Sequence, residues 1–350
     1  MINMYPFRIF LSYAHADTKQ VESIGGLLHN MGLIPVWDRD ISGGTPFDDE
    51  IRRRIAQAHI FMPVLTLNSC DRPWVHQEIG YALGIGVPVV PVAFGALPKG
   101  MLSGIQAIRV NDDLSDFQQC IEQARIESLV LSSHAEGELE RLGITTYLAE
   151  FSEERTRLLV RYAKETSLPA AVRQRAIFSS FSLPDEPPDH RAWESIELPE
   201  RRSKYFRTLL RDERRILEEH ARIGGCSLIL DPFVDFTAVE ARVHRAQLEI
   251  LRDFLTSMPE EMIRVAFIDG GFLGNLTIIG DWFCAKALPP QPGAGYRQTV
   301  FSQHASTVLR WLRDFDQELE DCLQANGLEA HGSRDHAVKR IDERLKELPR

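Results

Sequence analysis

Phe7-Arg-Ile-Phe-Leu-Ser-Tyr13 is a short, nearly continuous apolar run. Such a run predicts a strand buried on both faces, as in a parallel sheet. After it, Asp17 stands where an N-cap belongs, before a helix to about Asn30 whose Val21, Ile24, Leu27 and Leu28 recur at helical spacing. Leu33-Ile-Pro-Val-Trp37 reads as a second strand, and Asp38 to Pro46, with Ser42-Gly43-Gly44-Thr45-Pro46, as a loop. Phe47 to Ala58 reads as a helix and His59 to Thr66 as a third strand. A helix follows from Pro73, with Asp71 able to cap it and Pro favoured at its first position. Val87-Pro-Val-Val-Pro-Val92 and Ala107-Ile-Arg-Val110 complete five strands, and a helix from about Leu114 to Arg125 closes the unit. Alternating βαβα units of this size predict a doubly wound α/β domain, a parallel five-stranded sheet with helices on both faces.

The remaining chain divides by pattern. Residues 131–223 read as a mainly helical connector, interrupted by the loop Ser182-Leu-Pro-Asp-Glu-Pro-Pro-Asp-His190. From 224 to 330 a second α/β domain is expected. Its strands are Cys226–Leu230, Ile263–Ile268 and Asn275–Ile279, and its long helices run from Ala238 to Met258 and from Thr307 to Gln324. Residues 331–350 read as a short, charged helical tail.

Composition excludes more than it names. Apolar residues at 44% and charged residues at 26% are the balance of a folded globular chain. The net charge of −10 argues against non-specific nucleic-acid binding by the whole chain. The arginines from Arg201 to Arg215 alternate with Glu200, Asp212, Glu213, Glu218 and Glu219, which fits a solvated helix better than a nucleic-acid patch. Five scattered cysteines show no CxxC and no Cys/His spacing, so neither a disulfide framework nor a metal site is expected, and the pattern suits a reducing, cytoplasmic compartment. Asp231 and Asp235 lack a third ligand at useful spacing. The N-terminal residues do not read as a secretory signal, and no apolar run reaches membrane-spanning length, so no membrane partner is expected.

Ligands of doubly wound sheets bind beyond the carboxyl ends of the strands. Three segments converge there: Ser12-Tyr13-Ala14-His15, the loop from Asp38 to Phe47, and Trp74-Val-His-Gln-Glu78-Ile79. Trp74 and Glu78 are four residues apart and share a helix face. Phe-Leu-Ser-Tyr13, Val36-Trp37-Asp38 and Trp74-Val-His-Gln-Glu78, in this order, resemble the Toll/interleukin-1 receptor (TIR) domain of bacterial type, over about residues 5–127. The last stretch is similar to the NAD-cleaving TIR domain of an animal axon-degeneration enzyme.

The resemblance implies a flavodoxin-like domain over residues 1–130 and a specific chemistry. Glu78 matches the glutamate on which NAD+ cleavage depends, Trp74 and His76 match residues beside it, and Phe47 matches an aromatic of the nucleotide site. Ser12, Tyr13, His15 and Asp38 join them as expected substrate contacts, with no metal and no cofactor, NAD+ being the substrate. The chain departs from the axon enzyme after the Ser-Tyr pair, where basic residues are replaced by Ala14 and His15, so a charge partner for the NAD+ diphosphate must come from elsewhere or from protonated His15. The family further implies self-association through TIR domains, the loop from Ile41 to Phe47 included. The expected role is an NAD+ glycohydrolase effector of bacterial anti-phage defence, triggered through the C-terminal region by a small molecule, protein or nucleic acid. A cyclase making a cyclic ADP-ribose signal and a non-enzymatic TIR adaptor are the alternatives. The C-terminal domain resembles the layout of phospholipase D-like domains without their His-x-Lys motif, which implies a non-catalytic sensor or partner surface.

Overall fold

The computed structural model describes residues 6–37, 47–70, 72–96, 102, 104–123, 126, 129–130, 146–149, 152–166, 170–183, 204–233, 238–270, 274–287, 299–328 and 332–348. It divides into two units, the first Met1–Thr146 with Gln303–Arg310 and the second Tyr147–Ser302 with Trp311–Arg350.

The first unit is built on β1 (Arg8–Ser12), β2 (Ile34–Val36), β3 (Ile60–Leu65), β4 (Val92–Ala93) and β5 (Ile108–Arg109), in the order β2-β1-β3-β4-β5. Every pairing is parallel. All five residues of β1 and all six of β3 are buried, as strands covered on both faces must be. Ile9 and Leu11 face one layer with Val21, Ile24 and Leu28 of α1 (Thr18–Asn30) and with Phe117 and Ile121 of α4 (Phe117–Gln123). Phe10 and Phe61 face the other, with Ile51 and Ile55 of α2 (Phe47–Gln57) and Val75 and Ile79 of α3 (Pro73–Gly84). Gly25 of α1 is required by this packing, because a Cβ there would lie 2.4 Å from the Trp37 ring.

Two local expectations are corrected. The fourth strand is only two residues long, because Pro88 and Pro91 have no amide to donate; Val89 contributes an isolated bridge to Phe61 and Val90 donates to the Phe61 carbonyl. The closing helix starts at Phe117 rather than Leu114, which sits at φ 60° in the preceding turn.

In the second unit a seven-stranded sheet runs β6-β12-β11-β10-β7-β8-β9. Its strands are β6 (Thr146–Ala149), β7 (Val172–Ala176), β8 (Cys226–Leu230), β9 (Ile263–Phe267), β10 (Leu276–Ile279), β11 (Phe283–Ala287) and β12 (Thr299–Ser302). Strands β7, β8 and β9 are parallel, whereas β10, β11 and β12 form an antiparallel meander paired to β7. One face packs its apolar residues with those of α5 (Ser152–Glu165), α6 (Lys204–Gly224) and α7 (Ala238–Ser257). The other face carries Arg173 and Arg175, which pair with Asp316 and Glu318 of α8 (Ala305–Ala325). Within 131–223, the described residues supply β6 and β7 to this sheet beside the helices α5 and α6. Ala337, Ile341 and Leu345 of α9 (Ser333–Glu347) recur every four residues and are buried in the core. Among the described residues no helix is long and apolar enough to cross a membrane.

Candidate active site

In the order β2-β1-β3-β4-β5 the chain leaves β1 toward one edge and β3 toward the other, so a crevice opens beyond the carboxyl ends of these two strands. Ser12 ends β1 opposite Pro63 of β3, and α3 begins eight residues after β3 ends. These elements bring Ser12, 2% exposed, to Glu78 on the second turn of α3, with Ser12 Oγ donating to Glu78 Oε2 at 2.5 Å. Around the pair lies a cavity of 140 Å³ lined by Phe10, Leu11, Ser12, Tyr13, His15, Trp74 and Glu78.

The aromatic rim is ordered outward from that carboxylate. Tyr13 is buried and meets the exposed His15 edge to face at 6.3 Å between centroids. His15 in turn lies 5.8 Å from Trp74, which is 41% exposed. The Arg72 guanidinium sits over the outer part of this group, 5.7 Å from the Trp74 ring centroid. An exposed tryptophan between a carboxylate and a cation offers a flat face for a planar ring.

Two turns hold the crevice in shape. Asp17 follows β1 in a 3₁₀ turn, His15–Asp17, and is the residue before α1. It does not cap the helix with its side chain, contrary to the expectation from its position. Its carboxylate instead accepts from Thr66 Oγ1 at 2.6 Å and from Asn68 Nδ2 at 2.7 Å, tying the turn after β1 to the turn after β3. Ser69 tightens the second turn, accepting from the Thr66 amide at 2.8 Å and donating to the Val64 carbonyl at 2.7 Å. The helix starts at Pro73, as expected from the sequence. Arg72 holds the N-cap position of α3 with Pro73 at its first turn, and Asp71 lies outside the described residues.

Of the expected site residues, Ser12, Tyr13, His15, Trp74 and Glu78 come together in one cavity. His76 does not line it; its Nε2 contacts the Cys70 carbonyl at 2.8 Å and fixes the turn before the helix. Asp38 lies outside the described residues, and Phe47 is described only as the first residue of α2. Sequence reasoning missed Thr66, Asn68 and Arg72. The run Thr66-Leu-Asn-Ser69 carries a turn signal that could have drawn attention to the first two. No group of three His, Cys, Asp or Glu side chains placed to hold a metal occurs among the described residues.

A roomier depression of 490 Å³ runs along α6, lined by Thr208, Arg211, Asp212, Arg214, Arg215 and Glu218. Arg214 and Arg215 there are engaged by Glu218 and Asp212 on the same helix, the signature of a solvated face. The smaller cavity at β1 and α3 is the one where buried polar groups and aromatics converge.

Residues 9–125 match the family model of the TIR domain. The structure of the TIR domain of the Toll-related receptor TRR-2 from Hydra magnipapillata is 13% identical and covers 35% of this chain and 98% of its own, with a TM-score of 0.30. The TIR domains of the activated Roq1 resistosome, which directly recognises the pathogen effector XopQ, are 19% identical over 37% of this chain and 86% of that one, with a TM-score of 0.25. TrmBL2, an archaeal chromatin protein with a novel mode of DNA binding, is 12% identical over 60% of this chain and 65% of its own, with a TM-score of 0.31. No curated protein matches the chain. The N-terminal unit is thus a TIR domain by family model and by its parallel five-stranded sheet, followed by a second α/β unit.

Proposed function

We propose that the TIR domain cleaves the bond between nicotinamide and ribose in NAD+, with Glu78 as the catalytic carboxylate. The observation that carries this reading is the Ser12–Glu78 pair, 2.5 Å apart, inside a cavity walled by Tyr13, His15 and Trp74. Ordinary glycosidases need two carboxyl groups because an alkoxide leaving group must be protonated. Nicotinamide needs no such acid: its C1′–N bond breaks with the electron pair returning to a cationic ring nitrogen, and the base leaves neutral. The remaining demand is to stabilise the oxocarbenium-like sugar until water adds to C1′ and sheds a proton, and one placed anion meets it. Ser12 holds Glu78 in the rotamer that faces the cavity, Trp74 supplies the stacking surface, and Tyr13 and His15 close the sides. NAD+ is the substrate; no cofactor and no metal takes part.

Unregulated loss of NAD+ would kill the cell that makes the protein, which gives a physical reason for a second unit. The proposed role is a cytoplasmic effector of bacterial anti-phage defence. Self-association of TIR domains switches it on, after the second unit meets a small molecule, protein or nucleic acid. The test incubates the full chain with NAD+ at high protein concentration and with a crowding agent, and follows free nicotinamide and the ADP-ribose product. Linear product supports the hydrolase and cyclic product the cyclase variant. The second reading, a non-enzymatic TIR adaptor, draws on Leu67, which stands 84% exposed in the turn after β3. Absence of nicotinamide under every assembling condition would decide for it.

A further inference from the structure

The cavity beside Glu78, at 140 Å³, has room for one ring and not for a whole dinucleotide, so most of such a substrate must lie across the outer surface. What lies outside the cavity on the α3 side is Arg72. It precedes the first helical residue, is exposed, and places its guanidinium 5.7 Å from the Trp74 ring centroid. Its Nε donates to the Asn68 carbonyl at 3.3 Å, which anchors the base of the fork against the turn held by Asp17. Among the described residues no carboxylate forms an ion pair with it, so both terminal amino groups remain available to an incoming anion. Six residues of helical rise, about 9 Å, separate Arg72 from Glu78 along the helix axis. Trp74 lies between the two, 5.7 Å from the Arg72 guanidinium and beside Glu78 in the cavity lining.

We propose that Arg72 is the phosphate-recognising residue of this site, binding the diphosphate of a nicotinamide dinucleotide and so selecting it over the unphosphorylated nucleoside. The inference rests on the reading of Glu78 given above and adds the contact that selects the substrate class. Guanidinium is planar, presents paired donors that match two phosphate oxygens, and stays charged across the accessible pH range. Stacking on Trp74 preorganises the fork, so little side-chain entropy is lost on binding. Beside the same tryptophan stands His15, 5.8 Å away; imidazole, unlike guanidinium, is not a permanent cation. The two differ in a measurable way.

The test uses the full chain and its Arg72→Gln and Arg72→Lys variants. Titration calorimetry with ADP-ribose, which keeps the diphosphate and lacks the scissile bond, is expected to show binding weakened about ten- to a hundredfold in R72Q and partly restored in R72K. Wild-type affinity is expected to stay level between pH 6 and 8. In turnover, R72Q raises KM for NAD+ at unchanged kcat and leaves kcat/KM for nicotinamide riboside as in the wild type. Equal loss on both substrates, unaltered ADP-ribose binding in R72Q, or affinity that fades as pH rises through the imidazole range each overturns the assignment. Should the wild type release no nicotinamide at all, the Glu78 reading falls, and Arg72 is then decided by ADP-ribose binding alone. Failure of the wild type to bind ADP-ribose overturns it as well.

Discussion

Replacing Glu78 by glutamine removes a charge and little else. The amide oxygen can still accept the hydroxyl of Ser12, which now donates to Oε2 at 2.5 Å, so α3 and β1 keep their contact. The carboxylate borders a cavity and is half-buried, so its field is neither that of water nor that of a dry interior. A unit charge at ~4 Å from the developing positive sugar, with an effective dielectric constant of about 20, is worth ~4 kcal/mol. Solvent at the half-buried site reduces this to as little as ~2 kcal/mol. A loss of ~2 to ~4 kcal/mol in the transition state lowers kcat about 30- to 1000-fold. In NAD+ the positive charge sits on the ring nitrogen bonded to C1′ and moves onto the sugar in the transition state, so KM for NAD+ should rise modestly and the larger loss should fall on kcat. The assay is nicotinamide release under assembling conditions, with the thermal unfolding midpoint measured on the same preparations. A glutamine variant that unfolds like the wild type and turns over NAD+ within threefold of it would refute the electrostatic role.

Three further outcomes follow from contacts away from the carboxylate. Asp17→Ala deletes the acceptor for Thr66 and Asn68; the fold should lose ~1 to ~3 kcal/mol in urea titrations and kcat/KM should fall because the two turns are no longer joined, whereas unchanged kcat/KM would make that tie irrelevant to the site. Asp316→Ala removes the bidentate partner of Arg173, which is 4% exposed and held at 2.7 and 3.0 Å; with the aspartate a third exposed, the cost should be ~2 kcal/mol, and a loss below ~0.5 kcal/mol by denaturant titration would show the pair to be idle. His244 is pushed down to about 4 by burial and secondarily by the Arg344 charge, so the folded state prefers it neutral. Its contribution is complete above the ordinary value of 6.5 and is lost as pH falls from there through about 4, by ~3 kcal/mol in all. Comparing urea stability of the wild type and His244→Leu at pH 7.5 and 4.5 checks this, and equal pH slopes in the two proteins count against it.

The first sheet was legible because its information is local. β1 and β3 are runs in which every residue is buried, and α1 and α2 show their core faces at helical spacing, so no distant partner is needed to recognise them. β7 is the opposite case. Val172-Arg-Gln-Arg-Ala176 places two arginines where an apolar strand would show valine or isoleucine, and it reads as polar helix. All five residues are nevertheless buried, because Arg173 and Arg175 meet Asp316 and Glu318 of α8, each 143 residues further on. A buried arginine is tolerable only with its counter-charge in place. The strand's identity was therefore written in a segment far from the strand.

The site divides along the same line. Trp74 and Glu78 were recoverable together because one helical turn joins them, and Ser12 because it ends a recognisable strand at the point where the sheet order reverses. Asp17 was not, since its partner Thr66 lies 49 residues away and its position before a helix already had a sufficient local explanation as a cap. Arg72 was hidden in the same manner behind the capping role given to Asp71. In both places a generic helix-start rule absorbed a residue whose side-chain contacts lie elsewhere, a carboxylate tying two turns in one case and a guanidinium beside the tryptophan in the other. Helix starts at the carboxyl end of a parallel sheet therefore need two readings. There a polar residue has both a helix to begin and a crevice to face, and only its side-chain partners decide between them.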